Sequence, residues 1–408
     1  HERRSYSRTH THSHPRYPTR PKDIQPQDLE REPPPLRSAS EESSKTRMLT
    51  HALCLAASLT TPLLASGGMP APHLDARGIE FVQLPPLRSN GTNFTTLLTA
   101  TGTPVTDGER AQRVRVLEDT LGDFQPGALI VELFPFGRRI LADEFMALLS
   151  AARRQTPAPV TLCSIRDILA PPSKPSKAQR ADEIISTWFD AVLVHSDPSA
   201  TQLDVSWPVS DTLRPFLRYT GYVAPAPAVI GAPGPGAGEV LVTAGGGSVG
   251  DRLFQIALQA AALDPNRRWR LLVGGSDREQ RITKLAASVP ANAAIEAARP
   301  DFRQMLYHAA ASVSMCGYNT ALDLLQAGTP AVLVPFDEGS EVEQTLRADS
   351  LAILPGITVL PDSELASDTL LTALETVNSA TPRTTSGLRF DGASETVRLT
   401  QEMLEHRT

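Results

Sequence analysis

Three turns between strands and helices in the second half of the chain carry residues that could hold a phosphorylated ligand. The first, "TAGGGSVGDR", contains the glycine cluster Gly245, Gly246 and Gly247. Glycine lets a backbone approach a ligand closely, and the start of the next helix offers unpaired N–H groups to an anion. The alternative is a tight turn that only needs positive φ angles. No Gly-Lys-Ser/Thr follows, so the turn is not a P-loop.

The second turn lies in "MCGYNTALDLLQAGTPAVLVPF", where polar residues follow a predicted buried strand. Gly317, Asn319 and Thr320 form it, and Asn319 or Thr320 is expected to cap the next helix. Asp323 comes one helical turn later, where its carboxylate could accept hydrogen bonds from two vicinal hydroxyls, such as those of a ribose. The alternative is a helix cap followed by a solvated acid.

The third turn brings Glu343 and Gln344 close to the start of another predicted helix. The carboxyl ends of parallel strands meet at one edge of a sheet, and ligands bind there in open α/β folds. Glycine, amide and carboxylate groups would then converge on one cleft. Together the three turns predict a site for a nucleotide sugar.

These turns belong to a chain in which short apolar runs alternate with helical segments, the pattern of parallel sheets covered on both faces. A proline- and glycine-rich stretch interrupts the pattern and is typical of a linker. The sequence predicts an α/β protein in four segments: a disordered tail (1–47), an acceptor-side α/β domain (48–222), a linker (223–238) and a nucleotide-sugar-binding α/β domain (239–408).

The segment from Met48, "MLTHALCLAASLTTPLLASGG", has two interpretations. It is predicted to form a helix and a strand of the first domain. The alternative is a signal peptide, because an apolar core is followed by small residues, and it would imply secretion.

Composition excludes several classes of protein. The net charge of −6 gives no reason to expect a nucleic-acid partner. Cys54, Cys163 and Cys316 are far apart and show no C-x-x-C spacing, so neither a disulfide framework nor a metal site is predicted. No run of 18 apolar residues occurs, and a cytoplasmic location is expected.

Charged residues of the first domain follow its predicted strands. Glu132 in "VELFPFGRR" and His195 in "VLVHSDP" are candidates for a catalytic general base, although a hydrogen-bonded structural histidine is the alternative for His195. Arg138 and Arg139 could contact an anionic acceptor or the phosphate of a donor. The Arg-Asp dipeptide at 166–167 could be an ion pair that holds a loop.

The second domain resembles the C-terminal domain of family-28 glycosyltransferases of the GT-B fold. The resemblance covers about residues 239–355 and rests on "GGGSVG", "MCGYNTALDLLQAGTPAVLVPF" and "EQTLRA". The first domain is similar to a subgroup of predicted glycosyltransferases through "VELFPFGRR", "CSIRDIL", "VLVHSDP" and "YTGYVAP". This implies two doubly wound, Rossmann-like domains that face a cleft.

The resemblance also implies roles for the three turns. The glycine cluster would face the pyrophosphate side of the donor, and the Gly-x-Asn-Thr turn would lie under the phosphates. Asp323, where the family usually has Glu, would hold the ribose, and Glu343 with Gln344 would meet the donor sugar. The implied activity is metal-independent transfer of a hexosyl group from a UDP-linked donor to an acceptor hydroxyl, with no cofactor. Membrane association is expected only if the acceptor is lipid-linked.

One departure from the family concerns the first domain. Family members open with a strand and a glycine-rich loop, whereas "SASEESSKTR" precedes the predicted first helix here. The first βα unit of the N-terminal domain is therefore predicted to be missing or replaced. This keeps a second hypothesis open, in which the protein is an inactive nucleotide-sugar-binding partner or regulatory subunit. A third, a nucleotide-sugar 2-epimerase, would need acidic residues and a histidine in the cleft that the sequence does not supply.

Overall fold

The computed structural model describes residues 62–70, 78–90, 93–245, 249–336, 342–383 and 387–407. The predicted tail, the helix predicted after Met48 and part of the glycine cluster lie outside these residues.

The first domain is built mainly from parallel strands and the helices between them. Its elements are β1 (Leu63–Ser66), β2 (Glu80–Gln83), β3 (Leu87–Asn90), β4 (Asn93–Thr99), α1 (Asp107–Phe124), β5 (Ala128–Glu132), α2 (Ala142–Arg154), β6 (Val160–Arg166), α3 (Pro175–Trp188), β7 (Ala191–His195) and β8 (Leu217–Tyr219). All of β7 and nearly all of β6 are buried, as expected for parallel strands that are covered on both faces.

The parallel strands of this domain are divided between two sheets. Strands β5, β6, β7 and β8 form one in that order, β1 pairs with β2 in another, and β3–β4 is a separate antiparallel hairpin. Within the described residues β1 and β5 are therefore edge strands.

A buried ion pair joins α1, which precedes β5, to α2, which follows β5. On α1, Nε of Arg113 lies 2.7 Å from Oε2 of Glu144 on α2, and its Nη2 donates to Oε1 at 2.8 Å. Arg113 also donates to the carbonyl of Gly67, just after β1, at 3.2 Å. The pair thus fixes α1 and α2 against the end of β1.

The second domain has one six-stranded parallel sheet with helices on both faces. Its elements are β9 (Glu239–Thr243), α4 (Asp251–Leu263), β10 (Arg268–Val273), α5 (Arg278–Ala286), β11 (Ala293–Ala297), α6 (Phe302–Leu306), β12 (Ala311–Ser314), α7 (Tyr318–Ala327), β13 (Ala331–Leu333), α8 (Glu343–Leu351), β14 (Ile357–Val359), α9 (Ser367–Ser379) and α10 (Gly392–Glu405). Two buried apolar clusters cover the two faces of the sheet. The doubly wound architecture predicted for this domain is confirmed.

The strand order of this sheet locates its ligand-binding edge. The order is β11-β10-β9-β12-β13-β14, which reverses direction between β9 and β12. Loops that leave the carboxyl ends of the two strands beside such a reversal diverge and leave a crevice. The turns after β9 and β12 are the two that the sequence had marked by glycines.

The last helix, α10, packs on the first domain. Leu399 on α10 joins a buried cluster with residues of β6 and β7, and Arg407 donates to the carbonyl of Pro159 at 2.8 Å. The sequence-based division assigned 239–408 to the second domain by chain order. A helix that follows the second domain in sequence therefore covers a face of the first domain's sheet.

Candidate functional site

The turns after β9 and β12 lie close together at the reversal of strand order. Gly245 has a φ of 79°, and a Cβ atom built on it would lie 3.7 Å from Oγ1 of Thr320. The first turn of the predicted site therefore reaches the second. Gly246 and Gly247 lie outside the described residues.

The helix after β12 starts earlier than the sequence predicted. Gly317 is the N-cap residue, with extended backbone angles, and no side chain caps the helix. The prediction that Asn319 or Thr320 is the cap was wrong, because α7 begins at Tyr318 and both residues lie in its first turn. Their backbone N–H groups point along the helix axis toward the crevice, an arrangement that favours an anion. Gly328, in the left-handed region, ends the helix as expected.

The turn after β9 is held by an arginine that sequence reasoning missed. Arg281 on α5 is 6% exposed. Its Nη2 donates to the carbonyl of Val249 at 2.6 Å, its Nη1 to the carbonyl of Gly274 at 3.1 Å, and its Nε to Oδ1 of Asp251 at 2.7 Å. The signal in the sequence was only an arginine at a position that helical periodicity places on the buried face.

Asp323 lies on α7 and is largely enclosed. Its Oδ1 accepts a hydrogen bond from Nε of Arg303 on α6 at 2.9 Å, and its side chain is 16% exposed. Burial raises the pKa of Asp323 to about 6, although the charge of Arg303 acts in the opposite direction. Arg303 in turn donates to the carbonyl of Ala226 and to Oε1 of Gln326, so the acid is tied to the predicted linker.

Gln344 connects the ends of two neighbouring strands. Its Oε1 accepts hydrogen bonds from the backbone N–H of Cys316 at 3.0 Å and of Phe336 at 3.2 Å. These N–H groups follow β12 and β13 at the carboxyl edge of the sheet. The structure therefore places Gln344 at the predicted edge and gives its oxygen a backbone partner in each of two loops.

Two residues of α8 reach the first domain. Oε2 of Glu343 lies 3.6 Å from Nη1 of Arg166, and both side chains are about one quarter exposed. Arg347 forms two hydrogen bonds with Asp167, from Nε to Oδ2 at 2.7 Å and from Nη2 to Oδ1 at 3.0 Å. The dipeptide at 166–167 thus forms its ion pairs across the cleft with α8, rather than as one local pair.

His195 is fully buried inside the first domain. One ring nitrogen, Nε2, lies 2.9 Å from Oγ of Ser164, and the other, Nδ1, lies 2.8 Å from Oγ1 of Thr220. Both partners are also buried. This placement favours the structural interpretation of His195, because a general base must come within hydrogen-bond reach of the substrate.

The other candidates of the first domain lie after β5. Oε2 of Glu132 is 4.0 Å from Nη2 of Arg138, and both side chains are partly exposed. Arg139 begins a short 3-10 helix and donates to the carbonyl of Phe136. Glu132 is thus brought together with Arg138, and the loop they share precedes α2.

The described residues contain neither a candidate metal site nor a candidate membrane-spanning helix. No group of three or more His, Cys, Asp or Glu side chains there could hold a metal ion. No helix in the described ranges is both long enough and apolar enough to cross a bilayer.

Sequence comparisons find similarity to known proteins mainly in the second domain. Residues 240–389 match the family model of the glycosyltransferase family 28 C-terminal domain. A relative from Brucella anthropi, UDP-N-acetylglucosamine--N-acetylmuramyl-(pentapeptide) pyrophosphoryl-undecaprenol N-acetylglucosamine transferase, is 34% identical over 140 residues, which cover 32% of this chain and 36% of the relative. The chain therefore matches about a third of the length of that relative.

Structural comparisons extend over both domains. The crystal structure of MurG from Acinetobacter baumannii superimposes with a TM-score of 0.58 at 15% identity, over 90% of this chain and 97% of that one. The structure of CalG4, the calicheamicin glycosyltransferase, superimposes with a TM-score of 0.55 at 18% identity, over 89% of this chain and 91% of that one. The predicted GT-B fold is confirmed, and residues 240–389 are the part of the chain that matches the family model.

Proposed function

We propose that the protein is a glycosyltransferase that moves a hexosyl group from a UDP-linked donor to an acceptor hydroxyl. The observation that carries the proposal is the proximity of Gly245 and Thr320 at the reversal of strand order, with Asp323 one helical turn beyond. The family of the second domain and the names of its curated relatives, which transfer N-acetylglucosamine from a UDP-linked donor, support the same assignment.

Each part of the donor has a proposed partner. The diphosphate lies against the start of α7, where the N–H groups of Asn319 and Thr320 are not used by a capping side chain. The ribose hydroxyls bond to the carboxylate of Asp323, and the sugar lies near Glu343 and Gln344.

Transfer requires that the charge on the leaving diphosphate be stabilised while the glycosidic bond breaks. In the proposed mechanism backbone N–H groups, the dipole of α7 and basic side chains supply this stabilisation, and no metal is used. Arg138 and Arg139 act on the acceptor side or at the phosphates. Glu132 is the better placed of the two candidate general bases, because His195 is enclosed.

We place the protein in the cytoplasm, with a nucleotide sugar as donor and no other cofactor. The acceptor is a hydroxyl compound, and a lipid-linked acceptor would bring the protein to a membrane surface. The named relatives use a pyrophosphoryl-undecaprenol acceptor, which makes lipid-linked acceptors the first class to test.

The burial of His195 favours a second candidate function. With that residue enclosed, the first domain offers fewer groups for acid–base chemistry, and the protein could instead be an inactive nucleotide-sugar-binding partner. Both candidates require the donor site, and they differ only in turnover.

Calorimetric titration with UDP tests the donor site, with GDP and ADP as controls. We expect selective, micromolar binding of UDP, and we expect Asn319→Ala to weaken it by removing the side-chain amide donor at the start of α7. Asn266→Ala is the matched control, because Asn266 is an exposed asparagine in the α4–β10 connection at the opposite edge of the sheet. Absence of UDP binding by the unaltered protein would refute the proposal. Release of UDP from UDP-N-acetylglucosamine in the presence of an acceptor separates the enzyme from the inactive partner.

A further inference from the structure

Two side chains of α8 hold the backbone of Cys316 from both sides. Oε1 of Gln344 accepts a hydrogen bond from the N–H of Cys316 at 3.0 Å, and Nη1 of Arg347 donates to its carbonyl at 3.0 Å. Cys316 directly precedes Gly317, the N-cap of α7. We call residues 316–320 the donor turn. Its position is thus set by α8 as well as by its own strand.

The same arginine reaches into the other domain. Arg347 and Asp167, which we call the cross-domain pair, have side chains 3% and 2% exposed. Asp167 follows β6 of the first domain and also accepts a hydrogen bond from the backbone N–H of Ile168 at 2.8 Å. The ring of Tyr318 lies 5.8 Å from Cζ of Arg347. The guanidinium therefore donates two hydrogen bonds to one carboxylate across the cleft and one to a carbonyl of the donor turn.

We propose that Asp167 and Arg347 are positioning residues that make the geometry of the donor turn depend on the first domain. Asp167 forms its two side-chain hydrogen bonds with Arg347, and it thereby fixes the guanidinium that holds the carbonyl of Cys316. The placement of the diphosphate-binding N–H groups then requires both domains to be docked. The expected effect on UDP binding rests on the proposed function. The expected effect on the backbone of the donor turn does not.

Loss of the Asp167 charge takes from the buried Arg347 the carboxylate to which it is hydrogen-bonded. A buried charge without a partner draws in water or moves toward solvent. Either response withdraws the donor from the Cys316 carbonyl and loosens the donor turn. The nucleoside should be affected less, because Asp323 and Arg303 form a separate pair on α7 and α6.

The chain supplies a matched control for this change. Arg113 and Glu144 form another buried pair with two hydrogen bonds, with side chains 2% and 8% exposed, but both residues belong to the first domain. Asp167→Asn and Glu144→Gln therefore remove the same charge from the same kind of pair. Arg347→Lys is the milder second variant, since it keeps the charge and loses the planar fork.

The first measurement is hydrogen exchange of the Cys316 amide and the rest of the donor turn. We expect Asp167→Asn to accelerate exchange there by about tenfold or more, while Glu144→Gln leaves it within about twofold, because only the former pair touches the turn. Equal exchange in the two variants would overturn the inference, whatever the protein binds.

The second measurement compares UDP with uridine, which lacks the phosphates. Asp167→Asn should lower the affinity for UDP about tenfold and the affinity for uridine by less than about twofold, with Arg347→Lys intermediate. Equal losses for both ligands would overturn the inference in favour of a general loss of structure. If the unaltered protein binds no UDP, the proposed function fails, and the exchange experiment alone decides about the cross-domain pair.

Discussion

Lowering the pH should weaken donor binding through Asp323. Burial raises the pKa of this carboxyl to about 6, with the neighbouring Arg303 opposing the shift. The ionised carboxylate can accept hydrogen bonds from both ribose hydroxyls, whereas the protonated form has lost part of that capacity. Acid therefore removes the form that the proposed site requires.

The size of the effect follows from the titration. With a pKa of about 6, Asp323 is almost fully ionised at pH 8, half ionised at pH 6 and about one tenth ionised at pH 5. If only the ionised form binds, affinity should fall by about tenfold between pH 8 and pH 5, or ~1.4 kcal/mol. Most of the loss should occur below pH 6.

The assay is calorimetric titration with UDP-N-acetylglucosamine at several pH values. Both phosphates of this ligand are esterified, so the ligand has no phosphate group that titrates in the range. Asp323→Asn is the matched variant, and its weaker affinity should not change with pH. Arg303, the charged partner of Asp323 on α6, is unchanged in this variant. A pH dependence that persists in Asp323→Asn, or a flat profile in the unaltered protein, would refute the assignment of the ribose to Asp323.

Three further predictions concern single residues. Gly250→Ala should lower the free energy of unfolding by about 2 kcal/mol or more, since Gly250 has a φ of 90° and a Cβ there would lie 2.4 Å from that of Ala244. As a control, Gly245→Ala should lower it by only about 1 kcal/mol. Gln344→Ala leaves two backbone N–H groups without their acceptor and should cost about 2 kcal/mol or more in urea denaturation, while Gln344→Glu keeps the acceptor and should cost less. His195→Asn should lower stability by about 1–3 kcal/mol and leave the pH profile of turnover unchanged; loss of one limb of that profile at unaltered stability would restore His195 as a base.

The sequence could predict the strands and the fold class for a simple reason. Parallel strands covered on both faces are apolar runs, and β9, "EVLVT", is buried along its whole length. The sheet edge that carries the turns after β9, β12 and β13 follows from the direction of these strands. Asp323, Glu343 and Gln344 could therefore be assigned to one edge without coordinates.

The N-cap residue of α7 and the burial of His195 could not be predicted in this way. Asn and Thr are good capping residues, but the local backbone makes Gly317 the N-cap and draws Asn319 and Thr320 into the helix. His195 ends a buried strand, and only the neighbouring strand and the chain after β8 supply the hydroxyls that bond to it. Both outcomes depend on tertiary contacts that leave no periodic signal.

The partners of the dipeptide at 166–167 show the same limit, with a consequence for experiments. Successive residues at the end of a strand point in opposite directions, so Arg166 and Asp167 are poorly placed to pair with each other. Glu343 and Arg347 are four residues apart on α8 and share one helix face, so they can receive both. Contacts between residues so distant in the chain have no local signature.

For this reason the effect of Glu343→Ala on donor affinity does not by itself measure a contact with the sugar. The substitution also releases Arg166, which lies 3.6 Å from the Glu343 carboxylate. A double-mutant cycle with Arg166→Ala separates the two effects. If Glu343 bonds to the donor sugar, Glu343→Ala should still weaken the binding of UDP-N-acetylglucosamine more than that of UDP in the Arg166→Ala background. If the loss disappears in that background, Glu343 acts through the ion pair, and the sugar contact assigned to it is wrong.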